Sequence, residues 1–338
     1  MHPAIALDFE VVAANARAWA RLAGGPIRAV LKGNGYGWGF GGLVAALDGV
    51  AAAYCVADSE ELFRLRARTR LPVIVLGRVR RDELSMVLEA DGLPTLGDAG
   101  DLEATARWAA ARDRQLRVRV GVFSAAGWTG FDLHGFKRFL PALAVAGAQV
   151  ELWTHFTDMT TIAEDRERFR SAVHAARTAG VRVVATESSS TFPLALSGAG
   201  GDAVRVGIGL FGATGGPQVP GVRCALRVSA PVTNVEHIDA GTRIGYGPIS
   251  IEAGTLVTAR CGYADGLPRS LGGEDVLAVG MQYVSLRGAQ ANAENPQVVL
   301  LDLQSSLDGF AQRCGRLAHE IVTAFGNAAR ANGVPAEV

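Results

Sequence analysis

Residues 27–39 read IRAVLKGNGYGWG. A short run carrying isoleucine and valine and then breaking into alternate glycines reads as a strand that ends in a sharp turn. The residue at the junction is Lys32, and Lys32 and Lys137 are the only lysines among 33 basic residues. Arginine serves as a surface charge or phosphate clamp at least as well, but a guanidinium cannot be deprotonated into a nucleophile. Lys32 is therefore a candidate for amine chemistry.

Runs like the first recur along the chain. After IRAVLKG come AAYCVAD (52–58), LPVIVLG (71–77), GLPTLGD (92–98), LRVRVGV (116–122), VELWTHF (150–156), VRVVATES (181–188) and AVRVGIGLFG (203–212), eight in all. Amphipathic segments separate them. DSEELFRLRART (58–69) and DAGDLEATARWAAARDR (98–114) open on an aspartate able to cap free N–H groups, and IAEDRERFRSAVHAARTAG (162–180) closes on glycine. Eight strand–helix alternations predict an α/β fold, a (β/α)8 TIM barrel, whose chemistry gathers at the C-terminal ends of the strands. Lys32, Tyr36, His155, Ser188 and the glycines after Arg205 all fall there.

From about residue 222 the rhythm changes to strands and turns without regular helices, as in TLVTARCGYADG (255–266), VLAVGMQYVSLRG (276–288) and PQVVLLDL (296–303). This predicts a barrel over 1–221 and a mainly β C-terminal domain over 222–338, which the first ~10 residues can join. The amphipathic run 308–332 is either helical or partly disordered.

Bulk composition narrows the function classes. The 338 residues are 49% hydrophobic and 20% charged, with 42 glycines, as suits a packed chain with many tight turns. A formal charge of zero leaves no electrostatic footprint for nucleic acid or anionic membrane, so small molecules and other subunits are the expected partners. Cys55, Cys224, Cys261 and Cys314 are far apart with no CxxC pair, which argues against a metal site or a disulfide framework and for a reducing cytoplasm. The start MHPAIALDFEVV lacks a basic region followed by an apolar run, and no window reaches the ~18 apolar residues of a membrane span.

Lys32-Gly-Asn-Gly-Tyr36-Gly-Trp38-Gly resembles the motif K-A-x-A-Y-G-H-G around the pyridoxal-phosphate lysine of the alanine racemase family. Further landmarks follow in the family's order: WTHF (153–156), ESSS (187–190), VRVGIGLFG (204–212), IGYG (244–247) and CGYADGLPRSL (261–271). The resemblance implies the third pyridoxal-phosphate fold type, a homodimer with shared active sites, and an amino-acid substrate. It implies that Lys32 holds pyridoxal 5'-phosphate as a Schiff base and acts on one face of the substrate carbon. Such an amine needs burial and a nearby cation to lower its pKa, so Lys32 is expected to be buried. By the same resemblance Tyr263 is the opposing base, supplied by the partner subunit, and His155 orients it. Arg205 would bond the cofactor's ring nitrogen, where a permanent cation limits side reactions. Tyr36, Ser188 and the backbone N–H groups of Gly207 and Ile208 would hold the phosphate.

The pattern also breaks. The family's D-T-G-M-x-R-x-G-F, whose arginine holds the substrate carboxylate, stands here as VRVGVFSAAGWTGFD (118–132), with Trp128 at the arginine's place. VGRVxMDQ stands as VGMQYVSL (279–286), which makes Tyr283 and Val284 candidate substrate contacts. The C-terminal tail has no match to the family's phosphate-binding tyrosine. These departures argue against plain alanine as the substrate. Arg117 and Arg119 share one face of their strand by its two-residue period, opposite Val118, Val120 and Val122, so either could enter the lumen and hold an anion. Arg117 also stands where some family members carry a carbamylated lysine. The expected function is a racemase or epimerase using two bases, Lys32 and Tyr263. The alternatives are decarboxylation, aldol cleavage or elimination on the same scaffold, or a non-catalytic pyridoxal-phosphate binder.

Overall fold

The computed structural model describes residues 2–123, 129–156, 160–188, 202–216, 218–245, 252–288 and 296–332. The chain opens with a short strand, β1 (Ala4–Leu7), and then runs through eight parallel strands: β2 (Ile27–Val30), β3 (Ala51–Val56), β4 (Val73–Arg78), β5 (Gly92–Leu96), β6 (Arg117–Gly121), β7 (Gln149–Trp153), β8 (Arg182–Ser188) and β9 (Ala203–Val206). These eight coincide with the eight apolar runs of the sequence and close into a barrel. Closure is made where β9 lies parallel to β2, with Arg205 opposite Arg28.

The helices start and stop where the local chemistry dictates. The Asp58 and Asp98 side chains accept from the N–H groups of Glu61 and Asp101, both at 2.9 Å, as caps of helices Ser59–Arg66 and Ala99–Ala110. Helix Ile162–Thr178 ends before Gly180, whose φ of +77° is the left-handed conformation glycine adopts at little cost. Val118 and Val120 of β6, with Val122 just beyond it, turn outward and pack in one cluster with Phe136, Phe139 and Leu140 of the next helix. The alternate residues of that strand are thereby aimed at the lumen.

The second half is an antiparallel sheet of β10 (Leu226–Ile238), β11 (Gly254–Ala259), β12 (Val276–Val279), β13 (Val284–Arg287) and β14 (Gln297–Leu301). Its order is β1-β10-β11-β13-β12, with β14 on β10, so the first strand of the chain belongs to the sheet and not to the barrel. The final run is helical, as Leu307–Arg313 and Ala318–Ala331. One hydrophobic core spans Trp19, Phe211, Leu226, Phe310 and Phe325, so barrel, sheet and C-terminal helices share their interior. Among the described residues no helix is long and apolar enough to cross a membrane.

Asn15, fully buried in the helix Phe9–Ala23, ties these parts together. Its Nδ2 donates to the carbonyls of Leu210 at 3.0 Å and Arg223 at 2.8 Å, and its Oδ1 accepts from the Arg223 N–H at 3.0 Å. Asn15→Ala would leave these backbone groups unpaired, at about 1–3 kcal/mol each. The variant is expected to unfold at least about 2 kcal/mol earlier, read as a lower urea midpoint at unchanged slope.

Candidate active site

Beyond β2 the backbone turns left-handed. Gly33, Asn34, Gly35, Tyr36 and Gly37 all have positive φ, between +53° and +86°, and the Gly35 and Gly37 N–H groups bond back to Leu31 and Gly33 at 2.7 and 2.8 Å. A left-handed turn costs L-residues roughly 1–2 kcal/mol each, which the three glycines avoid. Asn34 is held by its surroundings: its N–H donates to Glu61 at 2.5 Å and its Oδ1 accepts from Arg64 at 2.9 Å. The turn sets Lys32 at the rim and swings Tyr36 inward.

The result is a cavity of about 440 Å³ at the C-terminal ends of the strands. Lys32, Tyr36, His155, Ser188, Arg205 and Gly207 line it together, as the strand-end rule predicted. Its other walls include Leu76, Trp153, Thr129 and His319.

Arg205 forms part of the floor. Its Nη1 donates to Thr186 Oγ1 at 2.8 Å, its Nη2 to the Thr154 carbonyl at 2.7 Å, and its guanidinium lies 4.9 Å from the Trp153 ring centre. A guanidinium has five N–H donors, so several remain for a ligand. Burial pushes Arg205 down to about 10, which leaves it cationic at neutral pH. Ser188 donates to the Arg205 carbonyl at 3.2 Å, fixing adjacent strand ends.

Tyr36 is buried against Phe211, with ring centres 5.1 Å apart, and burial raises its pKa, so the phenol keeps its proton. A Cβ placed on Gly207 would land on the Tyr36 hydroxyl. The position therefore has to be glycine for the phenol to sit beside the backbone, and the pair makes a cradle suited to an anionic group. Ile208 follows at the start of a short 3-10 turn, Ile208–Phe211, with its side chain in the core.

His155 follows β7. Burial first, then the charges of Arg205, Lys32 and His319, push it down to about 3. It is a neutral imidazole over the whole working range of pH.

Several expectations are corrected. Lys32 is exposed in the single chain, not buried. Arg117 stands exposed at the first residue of β6 and lines a hollow with Pro72 and Gly92 at the opposite end of the barrel, so it does not reach the cavity. Arg119 enters the lumen, but it lies a layer below the floor. It pairs with Glu151 at 3.2 Å, donates to Thr95 at 2.8 Å and stacks 3.7 Å from the Trp153 ring centre. Val284 is wholly buried in the hydrophobic core, so its side chain is no substrate contact. Tyr283 is exposed, and so is Tyr263, at 44%; neither lines the Lys32 cavity of its own chain. Trp128 lies outside the described residues.

The sequence reading missed His319, from the helix Ala318–Ala331, and the threonines that hold Arg205. Thr154 is visible within WTHF, and Thr186 sits two residues before Ser188 on the same strand face. No local pattern marks His319.

Comparison with known proteins follows the same outline. Residues 7–215 match the family model for the alanine racemase N-terminal domain, and residues 225–332 the model for its C-terminal domain. The chain is 29% identical to the alanine racemase of Acidiphilium cryptum, covering 96% of this chain and 97% of that protein. It is 30% identical to that of Beutenbergia cavernae, covering 96% of each. Among solved structures, alanine racemase from Acinetobacter baumannii superposes with a TM-score of 0.85 at 21% identity, over 96% of this chain and 97% of that one. The enzyme from Bartonella henselae, with covalently bound pyridoxal phosphate, gives 0.82 at 20%, over 97% and 98%.

Two outcomes are expected from this geometry. Gly207→Ala should displace the Tyr36 hydroxyl and weaken anion binding about tenfold or more while leaving the fold intact, measured by titration with a phosphate ester. The second concerns acid stability. The folded chain keeps His155 neutral down to about 3, whereas the unfolded chain protonates it near 6.5. The unfolded state thus binds more protons between those values, so stability is full above about pH 6.5 and is lost as pH falls toward 3. Replacing His155 with glutamine should flatten that limb in urea titrations across pH.

Proposed function

Because the chain belongs to the alanine racemase family, whose members are pyridoxal-phosphate-dependent isomerases, we propose that it inverts an amino acid at its α-carbon by moving a proton between Lys32 and Tyr263. The observation that carries this reading is the convergence of Lys32, Tyr36, Arg205 and Gly207 on one cavity at the strand ends. The donor set fits pyridoxal phosphate. Lys32 offers a primary amine at the rim, Tyr36 and the Gly207 backbone form an anion cradle, and Arg205 brings a cation held by Thr154 and Thr186.

When bound, the cofactor supplies an electron sink for the charge left at the substrate carbon. Lys32 Nζ takes or returns the proton on one face, and the Tyr263 hydroxyl does so on the other. Arg205, held by Thr154 and Thr186, would present its positive charge to the cofactor's ring. His155, neutral and half-buried beside the cavity, orients the incoming tyrosine by a hydrogen bond rather than by charge.

Tyr263 would reach this site from a second copy of the chain. Its own-chain exposure supports that, as does the exposure of its neighbours Met281 at 55% and Tyr283 at 45%, since apolar surface of this kind suits a contact between copies. The substrate we favour is larger than alanine and is held through its side chain. The support is that the cations lining the cavity, Lys32 and Arg205, both have assigned tasks, and Trp128 stands in the sequence where the family's carboxylate arginine belongs. Four buried free thiols suit a cytoplasmic setting.

Incubation with pyridoxal phosphate and a panel of amino acids in deuterium oxide is expected to exchange the α-hydrogen of at least one substrate and yield both enantiomers. Loss of the carboxyl group, or no exchange across the panel, would overturn the reading. Lys32→Ala and Tyr263→Phe should each lower turnover by on the order of 10²–10⁴-fold. Mixing the two inactive variants should restore activity that neither has alone, because one hybrid site then contains both groups.

A further inference from the structure

Behind the cavity, on the outer side of the same strand ends, lies an ion pair that the scheme above does not use. The ladder between β7 and β8 continues past Trp153: the Thr154 N–H donates to the Thr186 carbonyl at 3.2 Å and the Phe156 N–H to the Ser188 carbonyl at 2.9 Å. Side chains alternate along such a pairing. Trp153, His155 and Ser188 line the cavity, so Phe156 and Glu187 turn the other way, and both are buried at 1% exposure. Arg166, in the second turn of the helix Ile162–Thr178, covers them. Its Nη2 lies 3.3 Å from Glu187 Oε2, and its guanidinium stands 5.3 Å from the Phe156 ring centre. Its Nε is buried and has no hydrogen-bond partner among the described residues, so the carboxylate and the ring are what hold it.

His155 is thus carried between two rungs, and the Phe156 rung is the outermost of that ladder among the described residues. A terminal rung open to water is where a ladder frays. Resting on the reading that His155 orients the tyrosine of a second copy, we propose that Arg166 is a positioning residue for His155. By clamping Phe156 to Glu187 it closes the last rung and holds the imidazole at the angle the incoming phenol requires. Charge is not the means. The charges that press on His155 are those of Arg205, Lys32 and His319, while that of Arg166 is taken up by Glu187. The residue type fits the task, because a planar guanidinium lies against a ring face and pairs with a carboxylate at once, whereas an ammonium is a point charge suited to the pair alone.

The test uses the holoenzyme at saturating pyridoxal phosphate and the chiral proteinogenic amino acids, each enantiomer carrying α-deuterium, with rates taken on the one that racemises fastest. Arg166→Leu should lower turnover about tenfold and change KM by less than about twofold. A displaced imidazole slows proton transfer on the tyrosine's face only. The primary isotope effect should therefore rise for the enantiomer whose α-hydrogen the tyrosine removes and fall toward unity for its mirror image. Arg166→Lys, which keeps the pair, should regain about threefold or more of the lost turnover. Glu187→Gln breaks the clamp from the other side at nearly constant volume and should repeat the opposed isotope effects, so the comparison stands even where Arg166→Leu does not fold. Unchanged turnover in Arg166→Leu, isotope effects that move together for both enantiomers, or a lysine variant no better than the leucine one would each overturn the assignment. A wild type that releases no α-deuterium from any of the amino acids would instead overturn the racemase reading, and the assignment with it.

Discussion

The barrel interior is organised by one carboxylate. Glu151 on β7 accepts from Arg28 of β2, from Arg119 Nε of β6 at 3.2 Å, and from the Thr186 hydroxyl of β8 at 3.2 Å. Thr186 in turn accepts from Arg205 of β9. Five strands are thus joined through the lumen by hydrogen bonds, which strengthen one another where water is scarce. The balance is uneven, with three guanidiniums close to one carboxylate; burial lowers the pKa of each, and repulsion adds to it, from Arg117 at Arg28, from Arg205 and Arg28 at Arg119, and from Arg28 at Arg205. Trp153 relieves part of that load, since Arg119 and Arg205 both lie over its ring. A surplus of positive charge beneath the floor is a field that favours an anionic ligand above it. Cys55 lies in the same field, yet burial dominates and keeps its thiol protonated and inert.

How much of this was legible follows from the range over which each signal acts. The eight strands could be read because each carries a short apolar run buried against its neighbours, as Val118, Val120 and Val122 are. The same two-residue period correctly put Arg119 in the lumen, but period fixes a face and not a depth. Arg117 shares that face and stands at the strand's first residue, at the far mouth of the barrel, where water reaches it. The failure at Val284 is of the same kind, because a motif match named the segment while the pleat decided which of its side chains turns inward. Tyr283, just before β13, is exposed, and Val284, the strand's first residue, packs in the core.

His319 was illegible for a different reason. It is one polar residue in an amphipathic helix, and its meaning comes from where that helix lands some three hundred residues after Lys32. Lys32 shows the converse. Its expected chemistry suggested burial, but the residue lies two positions past the apolar strand β2, at the start of the glycine turn, and is exposed in the single chain.

The C-terminal helix sets the frame in which both chemistry-bearing segments sit. On one side Gly37, at φ +86°, lets the left-handed turn approach Thr323 and Asn327, and Gly326 lets the helix approach the Tyr36 carbonyl, where a Cβ would come within 2.7 Å. On another side Gly266, at φ +90°, closes the turn that carries Tyr263 and meets Ala324 at a distance where a Cβ would have 2.9 Å. Close packing of this kind leaves no room for independent drift. One helix therefore fixes the turn of Lys32 and Tyr36 and the turn of Tyr263 to a common body, although they face different surroundings. In an assembly of two copies, any shift of that helix in one subunit would move the amine of its own site and the phenol of the other together. A geometry held to fractions of an ångström across an interface needs such a shared element more than it needs a strong interface.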